Sequence, residues 1–454
     1  MKFIKINYRQ ICVSLMLGVL FTSCEKFVEL GPPPTQTVQE DVFKTDATAT
    51  SAILGLYSGQ PYGSLYIPLS GYTGMSADDI RYSTSDPILD EFKTNALSIT
   101  NTSVANTWYY CFMEIKNANY AITGMAKSTT LTPSVRDQLM GEAKFHRAFM
   151  YFYLVNLFGD VPMPLNDDPV ATASLARTPA DQVWTQIISD LTDAQNLLPA
   201  AYQGTFRGRI NKWTATTLLA RVKLYRKDYA GAEALATQVI GSGTYSLQSP
   251  ANAFINTSNE IIWQIANTTG VSTFGANYLA AAGSIPTYTM YDTLYKSFEA
   301  NDLRKTNWAG TTTVGTTTYY FVNKYKARAG TGNEYNVVFR LSELYLIRAE
   351  ARAQQSNLTG AKADLDIVRA RAGLSGVSST LTQAQMLLAV EQERKVELFG
   401  EWGQRWFDLK RTGRADAVIG GQKPTSWQST DVLYPIPQSQ IQLNSNLTQN
   451  VGYN

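Results

Sequence analysis

Two adjacent segments decide the fold of this chain. Residues 339–353 read FRLSELYLIRAEARA, and residues 358–374 read LTGAKADLDIVRARAGL. Both are rich in Ala, Leu, Arg and Glu, which favour helix formation. The first segment carries Leu344 and Ile347 on one face and further apolar residues on another, so we expect it to pack between neighbouring helices. The second ends near Gly373, a common C-terminal cap, and the short polar break between them predicts a helical hairpin.

The same pattern occurs a second time. Residues 215–240 read ATTLLARVKLYRKDYAGAEALATQVI. When the segments are aligned on Ala220 and Ala349, the later small residues Ala232 and Ala361 coincide as well. Small residues at these positions let two helices approach closely, as in tetratricopeptide hairpins, whose repeat is about 34 residues. We therefore predict that both segments are tetratricopeptide-like hairpins; the alternative is two ordinary helix pairs in an unrelated α fold.

The N-terminus has the organisation of a lipoprotein signal. In residues 1–23, three basic residues precede an apolar run at 11–21, which is too short to span a bilayer. Small residues then precede Cys24, so we predict cleavage before this cysteine and lipid attachment to it. Residues 24–40, which contain three consecutive prolines, are predicted to form a stiff tether. The alternative is an ordinary cleaved signal with an incidental cysteine.

Charge and composition argue against several kinds of function. The formal net charge is +2 and falls to −1 without the three basic residues of the signal, so nucleic-acid binding gains no support. Cys111 has no remaining partner for a disulfide. His146 is the only histidine and lies in a helical pattern, so neither a histidine-based zinc site nor a serine triad is expected. We predict no cofactor and no metal site.

We expect one compact unit with an N-terminal helical part at 41–240 and a C-terminal part at 241–454. The first part is predicted to contain helices at 104–125, 134–158 and 181–198. In the second part, loops and short strands at 243–336 precede helices at 339–411 and a C-terminal tail.

Several long motifs follow one another along the chain. They lie at residues 142–162, 340–350, 368–374, 393–411, 434–437, 444–447 and 449–453. The motif at 393–411 reads ERKVELFGEWGQRWFDLKR. With these motifs, the whole chain beyond the signal resembles the SusD/RagB family of outer-membrane nutrient-binding lipoproteins. The resemblance implies a mainly all-α fold, in which tetratricopeptide-like hairpins form an α/α superhelical core and loops and a few short strands are added on one side.

The resemblance also implies a partner and a ligand. The partner is a SusC-like TonB-dependent transporter, faced by the helical repeats, and the ligand is a carbohydrate held on the looped side. The expected function is that of a lipid-anchored, surface-exposed outer-membrane protein without enzymatic activity, which binds an oligosaccharide or glycan and delivers it to the transporter. The alternatives are a lipid-anchored glycan hydrolase with Glu397 and Asp408 as its carboxylates, a peptide-binding protein and a purely protein-interaction scaffold.

The candidate ligand site lies in loops, because loops expose side chains more readily than packed helices do. Flat aromatic rings beside polar side chains suit a sugar, which offers apolar C–H faces and hydroxyl groups. Residues 59–101 and 267–308 are the two candidate loops. The predicted glycan-binding residues are Tyr72, Asp79, Arg81, Tyr82, Phe274, Tyr278, Tyr288 and Trp308. For each ring the alternative is packing under its own loop, and for Asp79 it is capping of a helix or turn.

The motif at 393–411 is interpreted as mainly structural. Arg394 lies at helical spacing from Glu391 and Glu397, which predicts ion pairs along one helix. The charged residues of the following segment, 401–408, are expected to tie the last helices to the core through ion pairs.

Overall fold

The computed structural model describes residues 39–58 and 60–453. The predicted signal, the lipid attachment at Cys24 and most of the predicted tether lie outside the described residues. Within the described ranges, no helix has both the length and the apolar character needed to cross a membrane.

Helices dominate the N-terminal half. Helices α1 to α11 span Gln39–Val42, Asp46–Ser58, Gln60–Leu65, Thr73–Ser76, Pro87–Thr94, Thr102–Lys127, Pro133–Phe158, Pro169–Thr172, Ala180–Leu197, Lys212–Tyr225 and Tyr229–Gly241. A π-helical turn at Pro68–Tyr72 and strand β1 (Ile80–Tyr82) lie between α3 and α5. Residues 59–101 were expected to be a loop, but the described part, 60–101, is largely helical, because apolar side chains such as Leu69 and Met75 are buried in the core.

The C-terminal half adds short strands and then returns to helices. Strands β2 to β6 span Ile261–Ile265, Tyr288–Met290, Ala309–Val314, Thr317–Val322 and Asn336–Arg340. Helices α12 to α19 span Thr273–Tyr278, Asp292–Lys296, Leu303–Trp308, Leu341–Gln354, Leu358–Arg371, Gln383–Leu398, Gln404–Arg411 and Gln438–Leu443. The prediction of a mainly all-α fold with a few added strands is confirmed.

The strands of the described chain form three antiparallel pairs, β1 with β3, β2 with β6 and β4 with β5. In the first pair Arg81 lies opposite Thr289, and Tyr82 lies opposite Tyr288. The third pair is a hairpin that turns at Gly315, where φ is 61°. Because β5 also packs beside β3, the pairs β1–β3 and β4–β5 form one continuous looped side of the molecule.

The two predicted hairpins, α10–α11 and α15–α16, match in detail. In each, the residue before the second helix caps it: Asp228 Oδ1 and Asn357 Oδ1 both accept from the backbone N–H three residues later, at 2.9 Å. In each, the preceding residue is left-handed, with φ of 61° at Lys227 and 64° at Ser356. The same turn therefore joins the helices of both hairpins, as expected for a structural repeat.

Small residues set the distance between these helices. Ala220, Ala232, Ala349 and Ala361 are all fully buried. Helix α11 packs against α15, so the two hairpins are neighbours in space although they are far apart in sequence. The long antiparallel helices α6 and α7, with α9 against α7, extend this helical body.

A glycine in α6 tests how closely the first helices pack. A Cβ atom added to Gly124 would lie 2.1 Å from Cδ2 of Phe43, which is itself buried. We expect Gly124→Ala to lower the free energy of unfolding by about 1–3 kcal/mol, because Phe43 must move out of a packed core. Gly55→Ala in α2 is the control, since no atom lies within 4 Å of its added Cβ. It should raise stability by up to about 1 kcal/mol in urea unfolding, and equal losses in both variants would contradict the packing argument.

Candidate functional site

Four of the predicted ligand rings are core residues. The exposed fractions are 1% for Phe274, 1% for Tyr278, 5% for Tyr288 and 0% for Trp308. Burial therefore corrects the prediction for these rings, because a ring enclosed by its own protein has no free face for a sugar.

Trp308 shows why the ring is enclosed. Its indole N–H donates to the Pro250 carbonyl at 2.7 Å, so its polar atom is satisfied internally. Lys324 Nζ lies 4.9 Å from the ring centroid, and the Arg340 guanidinium lies 5.5 Å from it. Trp308 thus serves as an apolar and cation–π surface for buried basic side chains.

The other three rings form one buried layer, in which Tyr288 belongs to β3 itself. Phe274 and Tyr278 are stacked with centroids 5.8 Å apart, and Tyr278 meets Tyr288 edge-on at 5.6 Å. Tyr288 then contacts Tyr82 at 5.5 Å. The layer supports the surface ring Tyr82 from below.

Three predicted residues do reach the surface together. Tyr72 and Tyr82 are half-buried, and Arg81 is exposed. Pairing of β1 with β3 fixes the backbone of Arg81 and Tyr82, while Tyr72 packs its ring on Phe92 at 4.9 Å. The Arg81 side chain donates to Thr289 Oγ1 at 3.3 Å, so its guanidinium is held beside the aromatic rings.

Asp79 lies behind this surface and not on it. It is 3% exposed, and its Oδ2 accepts from the Gly400 N–H at 3.4 Å, while Oδ1 has no partner among the described residues. Burial, together with the neighbouring charge of Asp78, raises its pKa to about 7. The predictions that Asp79 binds the ligand or caps a helix are therefore wrong. Its buried carboxyl group links β1 to the segment after α17.

Sequence reasoning missed a second aromatic pair on the looped side. The rings of Tyr295 and Tyr320 are parallel within 14°, with centroids 3.7 Å apart, and both residues are half-buried. Lys305 Nζ lies 4.6 Å from the Tyr295 ring, on which it forms a cation–π contact. The aromatic run 319–321 is the sequence signal for this pair, although on its own it predicts only a strand.

Comparisons with known proteins agree with this fold. A family model described as the SusD family matches residues 276–453, and one described as starch-binding associating with outer membrane matches residues 27–224. The SusD-like protein P25 of Formosa agariphila is 25% identical over 95% of this chain and 96% of its own length. The starch-binding protein SusD of Bacteroides thetaiotaomicron is 35% identical over 26% of this chain and 21% of its own length.

Solved structures show the same architecture. A SusD superfamily protein from Bacteroides vulgatus has a TM-score of 0.79 at 18% identity, covering 90% of this chain and 100% of that one. A laminarin-binding SusD-like protein has a TM-score of 0.78 at 24% identity, with coverage of 90% and 100%. The chain belongs to the SusD/RagB family.

In this SusD/RagB chain, the motifs that carry the resemblance meet in a buried ion-pair network. Glu397 accepts from Arg304 at 3.0 Å, from Arg340 at 2.8 Å and from Arg371. Arg340 also pairs with Glu401 at 2.8 Å. The expected ion pairs of the 401–408 segment are therefore confirmed.

The predicted ion pairs of Arg394 with Glu391 and Glu397 are wrong. Its guanidinium binds Asp408 through two nitrogens, at 2.6 and 3.1 Å, and contacts Gln404 at 3.2 Å. Because Asp408 lies on α18, Arg394 joins α17 to α18 and does not form an ion pair within its own helix.

The same geometry bears on Glu397 and Asp408 as a hydrolytic pair. Burial raises the pKa of Glu397, but Arg371, Arg340 and Arg304 together bring it well below its usual value. Burial likewise raises the pKa of Asp408, and Arg394 and Arg411 lower it further than burial raises it. Two carboxylates that both stay ionised lack the protonated partner that glycoside hydrolysis needs as its acid.

Asp79 predicts a pH-dependent difference in stability. Its folded pKa of about 7 lies above the unfolded value of about 3.9, so its stabilising contribution is present at low pH and lost as pH rises through 7. We expect Asp79→Asn to match the parent protein at about pH 4 and to exceed its unfolding free energy at about pH 8.5 by on the order of 4 kcal/mol. Denaturant unfolding at both pH values measures this.

The control for Asp79 is an exposed carboxylate. Asp292→Asn removes a surface ion pair with Lys296, whose charged atoms are 3.8 Å apart, and such pairs contribute about 0–1 kcal/mol. It should show no comparable rise with pH. A constant difference between Asp79→Asn and the parent at all pH values would refute the assignment.

Proposed function

We propose that this protein is a lipid-anchored glycan-capture protein of the outer-membrane surface, which passes an oligosaccharide to a SusC-like TonB-dependent transporter. Family membership supports glycan capture, because one matching family model is described as starch-binding and a structural relative binds laminarin. The same family description names association with the outer membrane.

One observation locates the proposed glycan site on the looped side. On the looped side Tyr72, Tyr82 and Tyr320 are half-buried rings, and Arg81, next to Tyr82 on β1, is exposed. A half-buried ring keeps one edge or face available while packing holds its orientation, which lowers the entropy lost when a ligand stacks on it. Such stacking contributes about 0.5–1.5 kcal/mol for each ring beyond the buried area.

The polar groups beside the rings suit sugar hydroxyls. Arg81 uses its Nε on Thr289 and keeps its exposed guanidinium beside the Tyr291 ring, whose centroid is 5.6 Å away. An arginine offers five donors in a fixed plane, so a hydroxyl or ring oxygen can bind without displacing the contact to Thr289. The ligand proposed is therefore an oligosaccharide lying across Tyr82 and extending towards Tyr72 or Tyr320.

Delivery would depend on the lipid anchor and on the helical side of the protein. Lipid at Cys24 would hold the body at the membrane without a spanning helix. Strands β1, β3, β4 and β5 pack against elements other than the repeat hairpins α10–α11 and α15–α16. A transporter bound to those hairpins would therefore leave the rings uncovered. A hydrolase gains no support, since Glu397 and Asp408 both lie in ion pairs with arginines.

Surface-ring variants test the site. We expect Tyr82→Ala and Tyr320→Ala each to weaken binding of the best glycan by about threefold to tenfold, because each loses one stacking contact. Affinity gel electrophoresis against laminarin, starch and a wider glycan panel measures this, with product analysis for new reducing ends.

Two controls locate the effect. Tyr345→Ala removes a half-buried ring from helix α15 and should leave glycan binding unchanged. Trp308→Ala should lower the free energy of unfolding by about 3–5 kcal/mol, because its ring is fully buried. New reducing ends would favour the hydrolase. If no glycan of the panel binds, the function would instead be peptide binding or that of a protein-interaction scaffold.

A further inference from the structure

A second concave site lies on the helical body, away from the aromatic face. It is a pocket of about 370 Å³ between α15, α17 and α18. Its floor consists of three carboxylates and three guanidinium groups, which belong to Glu350, Glu391, Asp408, Arg394, Arg411 and Arg414. Most of these residues belong to the motifs that reveal the family, yet glycan capture on the looped side makes no use of the pocket.

The acceptors of the floor are already occupied. Asp408 accepts from Arg394 through both oxygens and from Arg411 at 2.8 Å. Both oxygens of Glu350 accept from Arg411. The two oxygens of Glu391 accept from Arg405 at 3.2 Å and from Arg414 at 3.1 Å. Every carboxylate oxygen of the floor therefore has a guanidinium partner.

Some guanidinium nitrogens of the floor have no hydrogen-bond partner among the described residues. Arg394 is 3% exposed, and its Nη1 has no hydrogen-bond partner among the described residues. Arg414 bonds Glu391 through Nε, and its side chain is 42% exposed, so its terminal nitrogens are free to meet a ligand. A buried donor without a partner costs about 1–3 kcal/mol. Because Nη1 has almost no accessible surface, an acceptor in the pocket recovers that cost by drawing the Arg394 guanidinium towards it. Saturated acceptors beside spare guanidinium donors select for an anion.

One wall of the pocket is apolar. Ala384, Leu387 and Leu388 of α17 line it, and Leu388 is 53% exposed. An apolar wall above a guanidinium floor matches a ligand with an aliphatic stem and a terminal carboxylate. We propose that this pocket binds a carboxylate on a short aliphatic stem, carried either by a glutamate side chain of a protein partner or by a free monocarboxylate.

This inference does not depend on glycan capture, since the pocket and the aromatic face share no residue. The competing explanation is a purely internal brace, in which Arg394 and Arg411 only join α15, α17 and α18. If these arginines only join the helices, an added carboxylate should not bind. A binding pocket should bind the carboxylate and should bind its neutral amide more weakly.

Ligand-observed NMR on the full chain in detergent tests the proposal. The probes are butyrate with butyramide as its neutral control, and the peptide acetyl-Ala-Glu-Ala-amide with its glutamine counterpart. We expect both acidic probes to bind and both neutral ones to bind at least about tenfold more weakly, since a charge-assisted hydrogen bond is lost. Binding of the peptide alone would assign the site to a protein partner, and equal binding of butyrate would assign it to free carboxylates.

Two variants locate the binding. Arg414→Gln removes a spare donor and should weaken the acidic probes about tenfold, while Leu388→Asp places a like charge at the wall and should abolish their binding. Arg136→Gln is the matched control, because that arginine is 41% exposed, pairs with a surface carboxylate and lies on α7. No binding of either acidic probe at about 50 mM, or binding that both pocket variants leave unchanged, would overturn the proposal.

Discussion

The carboxylate of Glu397 is the point on which the C-terminal half depends. Its three arginines come from separate segments: Arg304 from α14, Arg340 from the end of β6 and Arg371 from the end of α16. The carboxylate is fully buried, so its ionised form persists only because several positive charges surround it. Glu397 is the carboxylate that all three arginines contact, whereas Glu260 pairs with Arg340 and Arg371 only. The network thus fixes α17 against both the repeat helices and the strands that precede them.

This constraint reaches the looped side through a second set of ion pairs. Asp78, two residues before β1, accepts from Arg405 at 2.6 Å and from Lys395 at 2.7 Å. These two basic residues belong to α18 and α17, so the strand that carries Tyr82 is tied to the same helices that hold Glu397. The rings are therefore held in place before any ligand arrives, which reduces the ordering cost of binding.

Sequence predicts the helical part well, because helix and repeat signals are local. The spacing of Ala220 and Ala349 was enough to align two hairpins whose boundaries and caps then matched. The left-handed turns at Lys227 and Ser356 were not predictable in the same way, since neither residue type favours φ above zero. The hairpin imposes that conformation on them, and the capping side chains Asp228 and Asn357 stabilise the turn.

The candidate site was predicted less well because exposure is a tertiary property. Tyr82 and Tyr288 face each other across one strand pair, yet only the first reaches the surface, since Tyr288 packs on Tyr278 beneath it. Trp308 looks like a sugar platform by composition, but a fold that buries Lys324 and Arg340 needs a large ring against them. Buried basic side chains such as these are stabilised by contact with aromatic rings, so some of the rings must lie inside the protein. In this chain, an aromatic residue in a loop therefore gives little information about a ligand until its basic neighbours are known.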